Sequence, residues 1–492
     1  MRRPFLPCLL LFTALAGPLA RGAAETERPN IILINIDDFG SRELGAWGGR
    51  FRTPALDRMA AEGRRMSDHY AAPVCSPSRA ALLTGSYPKR VLPTPHVLFP
   101  GAAVGLHPDE QTIAEVLRAS GYATACIGKW HLGDQLPFLP LQQGFGEYFG
   151  LPYSNDMGPA AEGVKSNFGA PLPTPKAAPK AAGGAGEGTG IRTLQPPLPL
   201  LEGNTVIGRV GPAEQADLVR RYTERAVDFV RRPRTQPFFL YLAHNAVHFP
   251  LYPSAAFRAR VPGSLLGAWI EEVDWSVGQV LDAVRSAGLE RRTLVLFVSD
   301  NGGPLNHGAD NYPLRGGKGS TLEGGIRVPL LAWWPGRIPA GTSSSAITAN
   351  QDLLPTLARL AGAGLPTGRR LDGVDVSAPL LGDPGPGVRR EFLYFRGLDL
   401  EAVRGDAWKL HLAPGELYHL GEDPGEARDV AGRHPEVVAR LRALAAANAA
   451  DLGNTGVGPG CRPLGRIEAP QPLLAQDGTV RADAIGPRPR FP

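Results

Sequence analysis

Cysteine is scarce in this 492-residue chain, which has only Cys8, Cys75, Cys126 and Cys461. A disulfide framework is therefore not expected, and a chain of this length does not need one to bury a core. Cys126 and Cys461 stay open as a pair that nothing in the sequence favours. A surplus of one charge is missing too: 52 Lys and Arg stand against 47 acidic residues, a net +5. Three of the arginines, Arg2, Arg3 and Arg21, fall in the first 24 residues, which contain no acid; without that segment the net is +2. That balance argues for no nucleic-acid partner. Beyond residue 24 no apolar run is long enough to span a bilayer, so no integral membrane segment is expected. Internal repeats are absent. The Gly-rich stretch around Lys318 lacks P-loop spacing, with no Ser or Thr directly after the Lys, which argues against ATP.

What is present is ordinary globular composition, 43% hydrophobic and 20% charged, over a length that suggests one large domain and a smaller one. Residues 1–24 read as a secretory signal: Arg2-Arg3, an apolar stretch from Phe5 to Leu15, then the small residues Gly22-Ala23-Ala24. Export to a periplasm, the medium or a lysosome-like lumen is expected. Residues 25–385 read as a catalytic domain in which apolar strands alternate with helices. Within it, 158–200 is a Pro/Ala/Gly-rich insertion with little periodicity. Residues 386–452 change to short extended pieces, predicting a small antiparallel sheet covered by one helix over 434–447. Residues 453–492 read as an irregular tail.

The chemistry-bearing residues sit where strands end. Asn30-Ile-Ile-Leu-Ile-Asn-Ile36 fits a strand buried on both faces and runs into Asp37-Asp38. The predicted strand over 293–298 runs into Ser299-Asp300-Asn301-Gly302, a carboxylate and an amide. Adjacent carboxylates repel unless a cation offsets them, and such hard oxygen ligands suit Ca²⁺ or Mg²⁺; each motif alone is equally a strand-ending turn. The strand over 123–127 leads to Lys129 and His131, which share a side in extended chain. The strand over 237–243 leads to His244 and His248, of which His248 is read as the acid–base or substrate-contact residue and His244 as structural. Helices are predicted over 53–66, 108–120, 213–230 and 264–288. Finally, Cys75-Ser-Pro-Ser-Arg79 reads as a loop entering a helix, with Ser76 as N-cap and Pro77 in the first turn, which puts Cys75 at a helix N-terminus.

That last string resembles the type I sulfatase signature Cys-(Thr/Ser)-Pro-x-Arg. Six further strings match in family order: Asn35-Ile-Asp-Asp38, Gly128-Lys-Trp-His-Leu-Gly133, Leu151-Pro-Tyr-Ser154, Phe238-Phe-Leu-Tyr241 with His248, Ser299-Asp-Asn-Gly302 and Gly317-Lys318-Gly319. The chain thus resembles the formylglycine-dependent sulfatases, in particular the arylsulfatase A branch, from about residue 29 to about 447. The resemblance implies an α/β, alkaline-phosphatase-like fold: a mixed, mostly parallel sheet sandwiched by helices, plus the smaller C-terminal sheet. It implies Ca²⁺, with Mg²⁺ as the alternative, on Asp37, Asp38, Asp300 and Asn301. Cys75 would be oxidised to formylglycine (3-oxoalanine) by a formylglycine-generating enzyme, and its hydrate would be the nucleophile and touch the metal. Arg79, Lys129 and His131 would orient that hydrate, and Ser154, Lys129, His248 and Lys318 would contact the sulfate ester. His248 or Lys318 would protonate the leaving oxygen, and His131 would be the base that lets sulfate depart. The substrate would be a sulfated small molecule, glycan or lipid; a homo-oligomer is compatible with all of this. Two rivals are a phosphate mono- or diesterase of the same architecture, which Cys75 disfavours, and an unmatured sulfatase-like binding protein.

Overall fold

The computed structural model describes residues 28–172, 188–383 and 389–485. The signal-like segment and residues 173–187 of the insertion lie outside them. Along the chain come β1 (Asn30–Ile36), β2 (Arg64–Tyr70), the short β3 (Val104–Gly105), β4 (Ala123–Gly128) and β5 (Glu147–Gly150). A hairpin of β6 (Pro199–Glu202) and β7 (Thr205–Arg209) precedes β8 (Phe238–Ala243), β9 (Thr293–Ser299), β10 (Arg327–Trp333), β11 (Thr342–Ser344) and β12 (Thr348–Ala349). These strands, β3 excepted, form one sheet in the order β11-β2-β10-β9-β1-β8-β4-β5-β6-β7, with β12 also on β2.

The five central strands, β9-β1-β8-β4-β5, are mutually parallel, whereas β10 and the β6–β7 hairpin join antiparallel. Parallel pairing makes their C-terminal ends share one edge, the place where open α/β sheets bind ligands. Register keeps those ends level: Ile36 faces Ser299, and Gly128 and Asn35 both face Ala243. All seven residues of β1 are buried, because alternate side chains enter two different cores. Ile32 and Ile34 pack with the helices Pro54–Glu62, Leu218–Arg231 and Leu265–Ser286, while Ile31 and Leu33 pack with Cys75–Thr84, Ile113–Ala119 and Leu353–Leu360.

Several expected elements change extent. The helix predicted over 53–66 stops at Glu62. Gly63 leaves helical geometry, and a Cβ there would meet the Ala332 carbonyl at 2.2 Å. The charged run that follows becomes β2, held between β10 and β11 by tertiary pairing that its polar sequence hides. The helix predicted over 108–120 begins only at Ile113, where Thr112 and Glu115 form a reciprocal capping box. The one predicted over 213–230 is split into Pro212–Gln215 and Leu218–Arg231.

The small sheet β13 (Glu391–Arg396), β14 (Asp399–Gly405), β15 (Trp408–His411) and β16 (Leu417–His419) is antiparallel throughout, with the helix Pro435–Ala449 over it. Its apolar face joins Tyr70, Tyr87 and Ile326 of the larger body. After Gly453 the chain returns over that body: β17 (Gly465–Arg466) pairs with β3, and Leu473 is fully buried. Cys75, Cys126 and Cys461 are all free thiols. Among the described residues no helix is long and apolar enough to cross a membrane.

The long helix carries buried acids that tie stability to pH. Glu272 is 1% exposed and accepts from the Ser254 amide at 2.8 Å. Burial outweighs that bond and pushes its carboxyl up to about 7. A raised carboxyl contributes stability below its unfolded pKa, and the contribution is lost as pH rises through 7. Glu272→Gln should therefore change little at about pH 5 and stabilise by up to about 3 kcal/mol near pH 8. Thermal melts of both proteins at the two pH values check this; an equal gap at both would contradict it.

Candidate active site

Each parallel strand end delivers part of one cluster. Successive residues of a strand point to opposite faces, so Asp37 and Asp38 need a backbone turn to face one cavity. Asp38 supplies it with φ 63°, a left-handed conformation that costs strain and is found at functional sites. His131 does the same with φ 67°. Gly128, φ 115°, lets β4 end against β8: a Cβ there would meet the Ala243 carbonyl at 1.9 Å. Lys129 follows at once and is held by its amide to that same carbonyl, at 2.7 Å.

Cys75 is the first residue of the helix Cys75–Thr84, with Val74, not Ser76, in the capping position. Ser76 is withdrawn from that role because its hydroxyl accepts from the Leu98 amide at 3.2 Å. The Cys75 sulfur lies 3.1 Å from Asp37 Oδ1 and 3.7 Å from Lys318 Nζ. Burial, then Asp37, raises its thiol well above the ordinary range, so the encoded side chain is a neutral thiol despite the helix N-terminus. Arg79, one turn on, is fully buried and grips Asp300 Oδ2 with Nε and Nη2, both at 2.9 Å, and the Lys129 carbonyl at 2.7 Å.

The charges interlock. Lys129 Nζ donates to Asp37 Oδ2 and, at 3.2 Å, lies against Ser154 Oγ. Lys318 Nζ meets Asp38 Oδ1 at 2.7 Å. Burial opposes both ammonium groups, but Asp37 for Lys129 and Asp38 for Lys318 outweigh it and raise them. Burial likewise opposes ionisation of Asp37, and Lys129, His248 and Arg79 overcome it, so its carboxyl is held well below the usual range. Asp300 differs: burial and then Asp37 push it up to about 7, against Arg79. His248 Nε2 is 3.7 Å from Asp38 Oδ2, and its Nδ1 is 3.4 Å from Ser154 Oγ. His131 Nε2 lies 2.9 Å from the Leu98 carbonyl, so that nitrogen carries the proton and the buried Nδ1 keeps a bare, unpartnered lone pair. Burial, Lys129 and Arg79 keep this imidazole neutral.

The donor set fits one divalent cation. Asp37, Asp38, Cys75 and Asp300 can bring ligand atoms within 4.8 Å of one another, and the buried Asn301 Oδ1 has no hydrogen-bond partner. Carboxylate and amide oxygens with an orphaned acceptor suit a hard cation.

Thus every residue expected from the motifs, Asp37, Asp38, Cys75, Arg79, Lys129, His131, Ser154, His248, Asp300, Asn301 and Lys318, converges on one place. His244 stands apart, as expected of a structural residue: buried, with Nε2 on Ser276 at 3.0 Å and its pKa lowered by burial to about 3. Sequence reasoning missed His307, stacked on Phe249 at 4.4 Å and facing the charges of Asp38, His248 and Lys318. It also missed Leu98, whose carbonyl sets the His131 tautomer; a backbone acceptor leaves no sequence signal.

A sulfatase family model matches residues 29–363. Arylsulfatase A of Homo sapiens is 38% identical over 469 residues, spanning 87% of this chain and 89% of that protein. N-acetylgalactosamine-6-sulfatase of Canis lupus familiaris is 36% identical, over 85% of this chain and 84% of its own. Among solved structures, Ps i-CgsB in complex with k-i-k-neocarrahexaose is 31% identical with a TM-score of 0.70, covering 85% of this chain and 92% of that one. The chain belongs to the sulfatase family. It is a sulfuric ester hydrolase, releasing an alcohol or phenol and inorganic sulfate.

Proposed function

We propose that the chain is an exported, formylglycine-dependent sulfatase acting on a sulfated glycan, with Ca²⁺ (Mg²⁺ as the alternative) on Asp37, Asp38, Asp300 and Asn301 beside Cys75. The observation that carries the site reading is Cys75 itself: a buried neutral thiol at a helix N-terminus, 3.1 Å from a carboxylate and 3.7 Å from an ammonium. As a thiol it is a poor nucleophile. Oxidised to formylglycine, the same position supplies an oxygen nucleophile and a second oxygen through which sulfate is expelled. The cation supplies Lewis-acid stabilisation of the sulfuryl oxygens.

The chain's own residues do the rest. Lys129 and Lys318 flank the Cys75 side chain with positive charge and stabilise the charge that develops on sulfate. Arg79 fixes Asp300 and the Lys129 backbone, so the cation ligands and the nucleophile share one rigid frame. Ser154 and His248 contact the ester, and His248 or Lys318 returns a proton to the leaving oxygen. His131, neutral with a bare Nδ1, takes the proton whose loss releases sulfate. The glycan reading draws support from the k-i-k-neocarrahexaose held by Ps i-CgsB and from the sugar named in N-acetylgalactosamine-6-sulfatase. Export rests on residues 1–24, and a catalytic body over 25–385 with a small sheet over 386–452 remains the division we adopt.

One preparation tests this: exported protein from cells carrying a formylglycine-generating enzyme, assayed on 4-nitrophenyl sulfate, 4-nitrophenyl phosphate and sulfated oligosaccharides. Sulfate turnover well above phosphate turnover is expected, with an intact mass showing a start near Glu25 and a converted Cys75. A preference for phosphate would replace the reading with an esterase. Activity with an unconverted cysteine would remove formylglycine from it, and an intact Met1 would remove export.

A further inference from the structure

Lys318 lies on the Gly-rich loop after Asn311, and glycine-rich loops do not fix a side chain unaided. On the side of the large sheet the loop is held by the Gly303 and Pro73 carbonyls, which accept from the Lys318 and Gly319 amides at 3.3 and 2.9 Å, and by Asn311 Nδ2 on the Gly316 carbonyl at 3.1 Å. Its other anchors come from the small C-terminal sheet. Lys409 on β15 is fully buried; its ammonium donates to the Thr321 carbonyl at 2.8 Å and to Glu323 Oε1 at 2.9 Å, and forms an ion pair with Glu426 Oε1 at 2.9 Å. Glu426 Oε2 accepts from the Glu323 amide at 2.8 Å, and the Glu426 carbonyl accepts from Arg315 Nη1 at 2.8 Å. Thr321 Oγ1 donates to Glu401 of β14 at 2.7 Å. The loop is therefore gripped at Arg315, Thr321 and Glu323, on both sides of Lys318.

Lys409 is the keystone because it separates two buried carboxylates. Glu323 also accepts from Tyr70 at 2.7 Å and Tyr394 at 3.2 Å, with Arg327 at 3.5 Å, and Glu426 meets His411 Nε2 at 2.7 Å. Without Lys409, the Glu323 and Glu426 charges would face each other with no cation between them. Their repulsion would push on Glu323, and so on the loop that holds Lys318.

We propose that Lys409 is a positioning residue for Lys318, so that the C-terminal sheet takes part in sulfate-ester chemistry by fixing a group on another element. The inference rests on Lys318 contacting the sulfate ester.

A double-mutant cycle tests it. Wild type, Lys318→Ala, Lys409→Met and the combination are assayed for kcat and KM on 4-nitrophenyl sulfate, with thermal melts alongside. Misplacing a charged group by about 1 Å costs about 10²-fold in rate. Lys409→Met should therefore lower kcat/KM by about that factor in the wild-type background and by less than about 3-fold when Lys318 is already gone. Equal losses in both backgrounds, as a general loss of folded protein would give, overturn the proposal, and so does an unimpaired Lys409→Met. Should Lys409→Met not fold, Lys409→Met/Glu426→Gln, which removes one charge of each sign, takes its place in the cycle with the same expectations. A Lys318→Ala enzyme as fast as wild type would instead overturn the role of Lys318 itself.

Discussion

Cys75→Ser should lose turnover of 4-nitrophenyl sulfate by about 10⁴- to 10⁶-fold, the range seen when the nucleophile of an enzyme is removed. The site around the residue stays intact, because serine is smaller than cysteine and keeps a polar atom near Asp37 Oδ1. Lys129 and Lys318, the proposed ester contacts, remain in place, and Arg79 still holds Asp300 and the Lys129 carbonyl. A serine hydroxyl offers one oxygen only. It can accept sulfate from the ester, but has no second oxygen through which the sulfate leaves. The expected result is at most one equivalent of 4-nitrophenol, followed by silence and a protein whose mass has gained a sulfate. Sustained turnover within about tenfold of wild type would show that Cys75 is not the nucleophile position.

The second large effect is at Asp300, where two consequences separate. Asp300→Ala removes a proposed cation ligand and should cost about 10³-fold or more in kcat/KM, the several kcal/mol that a Lewis acid supplies. It also strips the fully buried Arg79 of its hydrogen bond and its shortest ion pair, leaving Asp37, 3.8 Å away, as the remaining carboxylate beside the guanidinium. That should lower stability by about 3–5 kcal/mol. Asp300→Asn keeps an oxygen for Arg79 and loses the charge, so it should keep more of the stability while still losing activity. Rates and melts of both variants decide the matter. An Asn variant with wild-type rate would remove Asp300 from the cation site, and an Ala variant with an unchanged melt would show that the Arg79 pairing contributes nothing net.

What could be read without coordinates was local. Uninterrupted apolar runs such as Asn30–Ile36 and Thr293–Ser299 mark strands buried on both faces, since no exposed strand tolerates that pattern. Asp37-Asp38, Ser299-Asp300-Asn301 and Lys129 stand directly after such runs, so their place at one sheet edge follows once the strands are parallel. Cys75-Ser-Pro-Ser-Arg79 marked the proposed nucleophile position, and the order of the motifs named the family. Other features were decided only by tertiary structure. The charged run Arg64–Tyr70 became a strand because two neighbours pair with it. Asp38 and His131 adopted left-handed backbone because the packed strand ends determine where their side chains must aim. The Leu98 carbonyl fixed the tautomer of His131, and Lys409, 91 positions beyond Lys318 in the sequence, came to hold its loop. Sequence records propensity and short spacing; hydrogen bonds and buried charges between distant segments exist only after the chain has closed on itself, and in this protein they set how the catalytic groups are aimed.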